Sequence, residues 1–347
     1  MELRKKDGRS GIACGGTWVV DRVKVIPAYP PENSTTDILG EAVGGGGCAF
    51  NVAIDLARFD SRLSVAAVGL IGEDPEGDFL VDQCRTCPNI SLEQFRRTSE
   101  AKTSFTDVFS SRTGGGRTFF HLRGTNRLFG PESVRIEALT SAIFHLGYLA
   151  ILDRLDAPDP QFGRVSARFL DSLQGAGLRT SVDLVSSNRP DFREVVLPTL
   201  SYTDLLIIND FEAERLTGVT LVCSPGPSLE ALRTAAHRIF QGGVRELVVI
   251  HFAAGSYSLA RSGEEILMPS LDVPPERIAG TTGAGDAFCA GILYGLHEGW
   301  DLQQALEFAT CAGALCLLDV TTTGAIKSRT EVLKMKETFP FRRPGWE

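Results

Sequence analysis

The sequence predicts an α/β protein, built as a doubly wound, mostly parallel sheet flanked by helices and carrying a small β-sheet lid. Short apolar runs alternate along the chain with longer stretches of helical periodicity, the pattern of buried strands joined by crossover helices. Two segments interrupt this alternation with strand-like patterns of their own, which suits a second, smaller sheet.

In chain order, "GIACGGTWVVDRVKV" reads as a strand, and "VKVIPAYPPENSTTDILGEAVGG" is the first interruption, placed at about residues 25–43. "NVAIDLARF" has helical periodicity and "RLSVAAVGLIG" is the next strand. "KTSFTDVFSSRTGGGRTFFHLRG" reads as a hairpin turning at residues 114–116, a second insertion at about 103–124. "AIFHLGYLAIL", "RTSVDL", "DLLIIN" and "ELVVI" are further strands, separated by helical stretches such as "SLEALRTAAHRIFQGG". No repeat or linker is evident in the chain, which by its length could hold two domains or one large one.

At 347 residues, with 43% hydrophobic and 22% charged residues, the chain has the make-up of a folded globular protein. A net charge of -8 disfavours nucleic acid as a partner. The basic start "LRKK" lacks the apolar stretch of a signal peptide and no run reaches membrane-spanning length, so no membrane partner and a cytoplasmic location are expected. Of the eight cysteines, Cys84 and Cys87 have redox or zinc spacing, but no second such pair or nearby His pair completes a tetrahedral site.

"IAGTTGAGDAFCAGILYGL" places Gly283, Ala284, Gly285 and Asp286 ahead of an apolar helix pattern that Gly299 would stop. Asp286 there is either a helix cap or the neighbour of an anion seated on bare backbone at the positive end of the helix dipole. In a doubly wound sheet ligands collect beyond the carboxyl ends of strands. Asp183 ends one predicted strand and Asn209 another, with Glu212 in the following helical turn; singly these are routine turn and cap residues, together they mark one crevice. The run "GGGGCAFNVAIDLARF" fits the dinucleotide fingerprint poorly, because "VAAVG" stands where its acidic residue belongs. A glycine stretch that lets a polar ligand approach, with Asn51 at the helix start, suits it better.

The pair "GGGGCAFNVAIDLARF" and "TTGAGDAFCAGILYGL", with "NDFE" between them, resembles the signatures of the ribokinase, or PfkB, carbohydrate-kinase family, in matching order over roughly residues 12–330. The resemblance implies a single ribokinase-like α/β domain over residues 12–340 and ATP-dependent phosphorylation of a hydroxyl group on a sugar or sugar-like substrate. Asp286 would be the catalytic base, and the backbone of Gly283, Ala284, Gly285 and Asp286 the anion hole. Asn209 and Glu212 would organise Mg²⁺ and its waters, with Glu212 as the metal residue. Asp21, Gly46, Gly47 and Asn51 would hold substrate hydroxyls, and Phe120 and His121 would face the substrate from the lid, His121 being equally consistent with an exposed strand residue. The lid would pair two chains into a homodimer.

Two departures from the family pattern stand out. "IHFAAGSYS" replaces the family's Thr-x-Gly-x-x-Gly phosphate loop, leaving Gly255 to give the nucleotide close backbone approach. Gly280 replaces the Asp that commonly opens the terminal motif, so weak or absent potassium activation is expected. A nucleoside kinase would need aromatics such as Trp18 or Phe120 to stack a base, and a phosphosugar kinase would use Arg117 or Arg123 as a clamp. A catalytically silent binding protein is the remaining class, and the intact Asp286, Asn209 and Glu212 argue against it.

Overall fold

The computed structural model describes residues 8–113, 116–223 and 226–343. Gly114 and Gly115, two of the three expected turn glycines, lie outside them.

The central sheet has nine strands in the order β15-β14-β13-β12-β11-β8-β1-β4-β5. Chain order gives β1 (Ile12–Gly16), β2 (Val19–Ile26), β3 (Gly40–Gly46), β4 (Val65–Gly72), β5 (Ile90–Thr98), β6 (Phe105–Ser111), β7 (Arg117–Leu122) and β8 (Ile143–Leu149). There follow β9 (Pro158–Asp159), β10 (Gly163–Arg164), β11 (Arg179–Leu184), β12 (Leu205–Asn209), β13 (Leu247–Phe252), β14 (Gly255–Ala260) and β15 (Glu265–Pro269). From β5 across to β13 the pairs are parallel, while β14 and β15 add an antiparallel edge. The predicted strands β4, β8, β11, β12 and β13 form because near-continuous apolar runs suit a sheet covered on both faces. The edge strands β5 and β15 carry charged residues on an exposed side, which weakens their apolar signal.

Helices α1 (Cys48–Phe59), α2 (Pro75–Arg85), α7 (Ala284–His297) and α8 (Leu302–Cys316) pack into one apolar layer. Helices α3 (Val165–Gly175), α4 (Phe192–Val196), α5 (Asp210–Thr217) and α6 (Leu229–Gln241) pack into the other. Cys84 and Cys87 sit buried in the first layer as unpaired thiols.

The lid is a separate four-stranded sheet, β3-β2-β6-β7, and it corrects two expected boundaries. "GIACGGTWVVDRVKV" is not one strand: β1 ends at Gly16 in the central sheet, and β2 begins at Val19 in the lid. The first insertion therefore spans residues 19–46 rather than 25–43, and residues 44–46 are paired strand against β2 rather than a flexible stretch. Gly15 and Gly16, the latter at φ +122°, mark the break between the two strands, and tertiary pairing shows that it is a change of sheet. Between the two strands Trp18 is fully buried, its Nε1 donating to the Val68 carbonyl at 2.9 Å and its ring 4.5 Å from that of Phe95. It is a core residue and no platform for a base.

Among the described residues no helix is long and apolar enough to cross a membrane.

Candidate active site

The chain reverses direction across the sheet between β1 and β8: from β1 it builds outward through β4 and β5, then returns to β8 and builds the other way. Crevices at such switch points, beyond the carboxyl ends of the strands, are where open α/β sheets bind ligands. Tyr148, Asp183, Asn209 and His251 all lie at these strand ends.

Helix α7 starts at the same edge. Its N-cap is Gly283, with φ +88°, and a Cβ there would lie 2.5 Å from the Thr322 carbonyl oxygen, so only glycine fits. Ala284, Gly285 and Asp286 form the first turn, whose amides have no intrahelical acceptors. The cap reading of Asp286 is overturned: Gly283 is the cap position, and the Asp286 side chain turns away from the helix end. It accepts from Asn51 Nδ2 at 2.7 Å and from the Tyr148 hydroxyl at 3.0 Å. Burial raises its carboxyl above the ordinary carboxylate range, and those two hydrogen bonds oppose the rise. Asn51, in the first turn of α1, keeps a buried Oδ1 with no partner among the described residues, an acceptor free for a hydroxyl.

Asp21 projects from β2 toward β3, where a Cβ on Gly46 would lie 2.0 Å from its Oδ2; Gly46 is what leaves room for the carboxylate. Burial, with the Asp286 charge, pushes Asp21 up to about 7 against a hydrogen bond from Thr106. Gly47 is the N-cap of α1, so Gly46, Gly47 and Asn51 run together from lid strand to helix.

Register decides which lid residues share a face. Asp21 lies opposite Thr106, and Thr106 opposite His121, whose Nδ1 is 3.0 Å from Thr106 Oγ1. Alternation then puts Arg117 and Phe119 on the Asp21 face. Phe120 lies opposite Asp107 and packs edge-on to Phe109 at 5.6 Å on the other face. Phe120 and His121 therefore cannot both face a substrate, because neighbours in a strand point to opposite sides. His121 is on the site face and Phe120 is not. Arg117 bonds to the Thr282 hydroxyl and lies over Gly280, where a Cβ would be 3.0 Å from its Nη2; this tethers the lid to the loop before α7. Arg123 instead pairs with Asp153 at the surface.

Asn209 and Glu212 form a reciprocal capping box at the start of α5. Asn209 Oδ1 accepts from the Glu212 amide at 2.8 Å, and Glu212 Oε2 from the Asn209 amide at 3.0 Å. Ser186 joins them, donating to Glu212 Oε1 at 2.7 Å and accepting from Asn209 Nδ2 at 2.8 Å. Burial pushes Glu212 up to about 7. Asp183 is raised by burial and by the charges of Glu212 and Asp286. Among the described residues, none of these three acids forms an ion pair with Lys, Arg or His. A buried group of oxygen donors with uncompensated charge fits a hard divalent cation such as Mg²⁺.

A cavity of about 460 Å³ adjoins the start of α7. Asn209, Gly255 and Gly285 line its polar end, and Leu271, Val273 and Leu317 its apolar wall. Gly255 follows the tight turn of residues 253–254 between β13 and β14. His251, kept neutral by burial with its pKa down to about 4, tilts against Phe288 with ring centroids 5.3 Å apart.

Tyr148 and Ser186 escaped sequence reasoning; a single hydroxyl near a strand end carries no spacing signal. Arg117 was named only as a clamp for a phosphosugar, and its contact with Thr282 is new.

A mixed sheet with a β lid, an apolar cavity, and an acid held beside bare helix-start amides define the class of ribokinase-like sugar phosphotransferases. The chain belongs to the pfkB family of carbohydrate kinases, whose pattern matches residues 19–329, and it is an ATP-dependent carbohydrate kinase. It is 27% identical over 318 residues to a ribokinase of Arabidopsis thaliana, covering 89% of this chain and 76% of that one. It is 26% identical over 319 residues to a ketohexokinase of Mus musculus, covering 88% and 95%. Among solved structures, an Arabidopsis thaliana ribokinase complexed with ribose and ATP superposes with a TM-score of 0.78 at 21% identity, covering 94% of this chain and 98% of that one. A ribokinase from Thermotoga maritima gives 0.77 at 21% identity, covering 94% and 99%.

Proposed function

We propose that the chain transfers the γ-phosphoryl group of ATP to a hydroxyl of a free sugar or sugar-like polyol, with Asp286 as general base. The observation that carries this is the placement of the Asp286 carboxylate in the first turn of α7, between the helix-start amides at residues 283–285 and the Asp21, Gly46 and Asn51 group. Of those amides only that of Ala284 reaches a backbone carbonyl among the described residues, Thr281 at 3.4 Å. Asp21 and the free Oδ1 of Asn51 accept from neighbouring hydroxyls of the substrate, and His121 closes over them from the lid. Gly47 lets the backbone come close to the same ligand. Asp286 takes the proton of the attacking hydroxyl, and the amides of Gly283, Ala284 and Gly285 receive the charge on the transferring phosphoryl. The nucleotide lies in the apolar cavity, with its phosphates toward Gly255 and Asn209. Mg²⁺, held through Glu212 and Asn209, neutralises phosphate charge when bound. The lid keeps water from competing with the sugar. Burial of Trp18 and the outward position of Phe120 remove both aromatics that a nucleoside reading would need, while Phe119, exposed on the Asp21 face, is the lid aromatic that remains for a base or a sugar ring. ATP consumption measured across pentoses, hexoses, phosphosugars and nucleosides tests the reading. Turnover confined to nucleosides, or no turnover with any acceptor, would overturn it.

Glu212→Gln separates the metal role from sugar binding. Turnover falls and the Mg²⁺ concentration for half-maximal rate rises, while sugar affinity stays nearly unchanged. Superimposable Mg²⁺ titrations for parent and variant would exclude the role. The same variant has a stability signature. Because the folded-state pKa of Glu212 is about 7 against 4.5 unperturbed, its contribution is full below about 4.5 and lost as pH rises through 7. Without nucleotide or Mg²⁺, the thermal midpoint of Glu212→Gln therefore gains on the parent as pH is raised from about 5 to about 8.

The outer face of the lid exposes Val43, Phe120 and Leu122, which supports a homodimer formed through the lid. Sedimentation at micromolar concentration is expected to give a dimer, and a strictly monomeric profile would count against it.

A further inference from the structure

Beneath Asp286 lies a group of side chains that the phosphotransfer reading leaves unused. Cys48 Sγ is 3.2 Å from His145 Nε2 and 3.5 Å from Asp183 Oδ2, and one ligand atom from each of the three lies within 4.8 Å of the others. Cys289 Sγ adds a fourth donor 3.9 Å from His145 Nε2. Cys48, His145 and Cys289 are completely buried, and Asp183 is 6% exposed at the floor of the crevice.

We propose that Cys48, His145 and Asp183, with Cys289 beside them, form a binding site for a thiophilic divalent cation such as Zn²⁺. Bonds of about 2.3 Å to sulfur and 2.0–2.2 Å to nitrogen or oxygen put neighbouring donors of a tetrahedral ion about 3.5 Å apart. Cys48 Sγ already has that spacing to His145 and Asp183, and the remaining donors need only small side-chain shifts to close on an ion. The imidazole is already in its ligating form, since burial lowers its pKa to about 3 and keeps it neutral. Its other nitrogen, Nδ1, lies 3.0 Å from Ser181 Oγ, an outer partner that fixes the ring and directs the Nε2 lone pair at Cys48. In the metal-free chain the Cys48 thiol donates to Asp183 Oδ2. The cation replaces that proton, which passes to solvent, and the thiolate so formed is what ligates. Burial and the Asp286 and Asp183 carboxyls hold the Cys48 thiol protonated in the metal-free chain. The charge of a bound cation is what offsets this, in a place where none of Asp183, Glu212 and Asp286 forms an ion pair among the described residues. Thiolate and imidazole donors select Zn²⁺ or Co²⁺ over Mg²⁺, so this site differs in its donors from the oxygen group around Glu212, with which it shares Asp183. Access is through the sugar crevice, past Asp183.

Cobalt(II) titration of the full chain without nucleotide or sugar tests the site, in a Cys223→Ser background that removes the exposed thiol. One equivalent per chain should bind with a thiolate-to-cobalt charge-transfer band, be displaced by Zn²⁺, and survive excess Mg²⁺. The band should lose intensity and shift in both Cys48→Ser and Cys48→Ala, and vanish when Cys289→Ser is added, with folding checked by circular dichroism. Ser181→Ala should weaken binding by about 10–100-fold, the usual cost of losing an outer partner. Absence of the band in the parent, an unchanged band in either Cys48 variant or its survival in the double variant, or its loss to Mg²⁺ would overturn the proposal.

Discussion

Asp286→Asn is expected to fold like the parent and to lose turnover by about 10²–10⁴-fold, the usual contribution of a general base. The local hydrogen bonds explain why folding survives. Tyr148 can still donate to the new amide oxygen, and the amide nitrogen that replaces Oδ2 would face Asn51 Nδ2, donor against donor. Asn51 has its unpartnered Oδ1 available, and a half-turn of its amide converts the clash into a hydrogen bond. The substitution also removes a buried charge that desolvation disfavours, so the thermal midpoint near neutral pH should not fall. What is lost is the ability to accept the hydroxyl proton. Turnover on the accepted sugar, with circular dichroism and a thermal melt, checks all three parts. A variant with near-parental turnover would remove Asp286 from the chemistry.

Gly283→Ala should cost at least about 10²-fold in turnover, comparable to the loss of one oxyanion donor, with sugar affinity held within a few-fold. Two effects combine at this position: a φ of +88°, and a Cβ placed 2.5 Å from the Thr322 carbonyl oxygen and 2.8 Å from its Cα. Backbone cannot yield as the end of a side chain can, so the start of α7 must shift and take its amides out of aim. Asp21 and Asn51 lie on β2 and α1 and keep their places. Gly299→Ala is the control, because Gly299 also has positive φ, at +75°, but a Cβ there meets open space. It should lose about 1–2 kcal/mol of stability from the left-handed conformation and little turnover. Equal turnover losses in the two variants would mean that general strain, and not the position of the anion hole, governs the rate.

The contrast between these glycines also marks how far the sequence could be read. Asp286, Asn51, Asn209 and Glu212 were legible because each occupies a fixed place where a strand or glycine run enters a helix, and helix starts constrain residue type strongly. The parallel strands were legible as continuous apolar runs. β5 was not, because "ISLEQFRRT" spends alternate positions on an exposed edge. The lid boundary failed for a different reason: β1 and β2 are both good strands, and the Gly15-Gly16 pair that separates them marks a break in the chain but not that the next strand, after Thr17 and Trp18, joins another sheet. Phe120 and His121 show the cost of leaving parity out, since the pairing of Thr106 with His121 puts Phe120 on the outer face. Tyr148 reaches Asp286 across 138 positions of sequence, and no local spacing encodes such a contact.

In the proposed reaction Asp286 and the amides before it move a phosphoryl group from ATP to a sugar hydroxyl. Phosphorus NMR of the reaction with the accepted sugar tests this most directly, by following ADP and phosphate ester together in parent and Asp286→Asn proteins. One ester should form per ADP released by the parent, with little ATP loss when the sugar is omitted and no ester above background from the variant on the same timescale. Inorganic phosphate in place of ester, or ester formed by the variant at the parental rate, would contradict it.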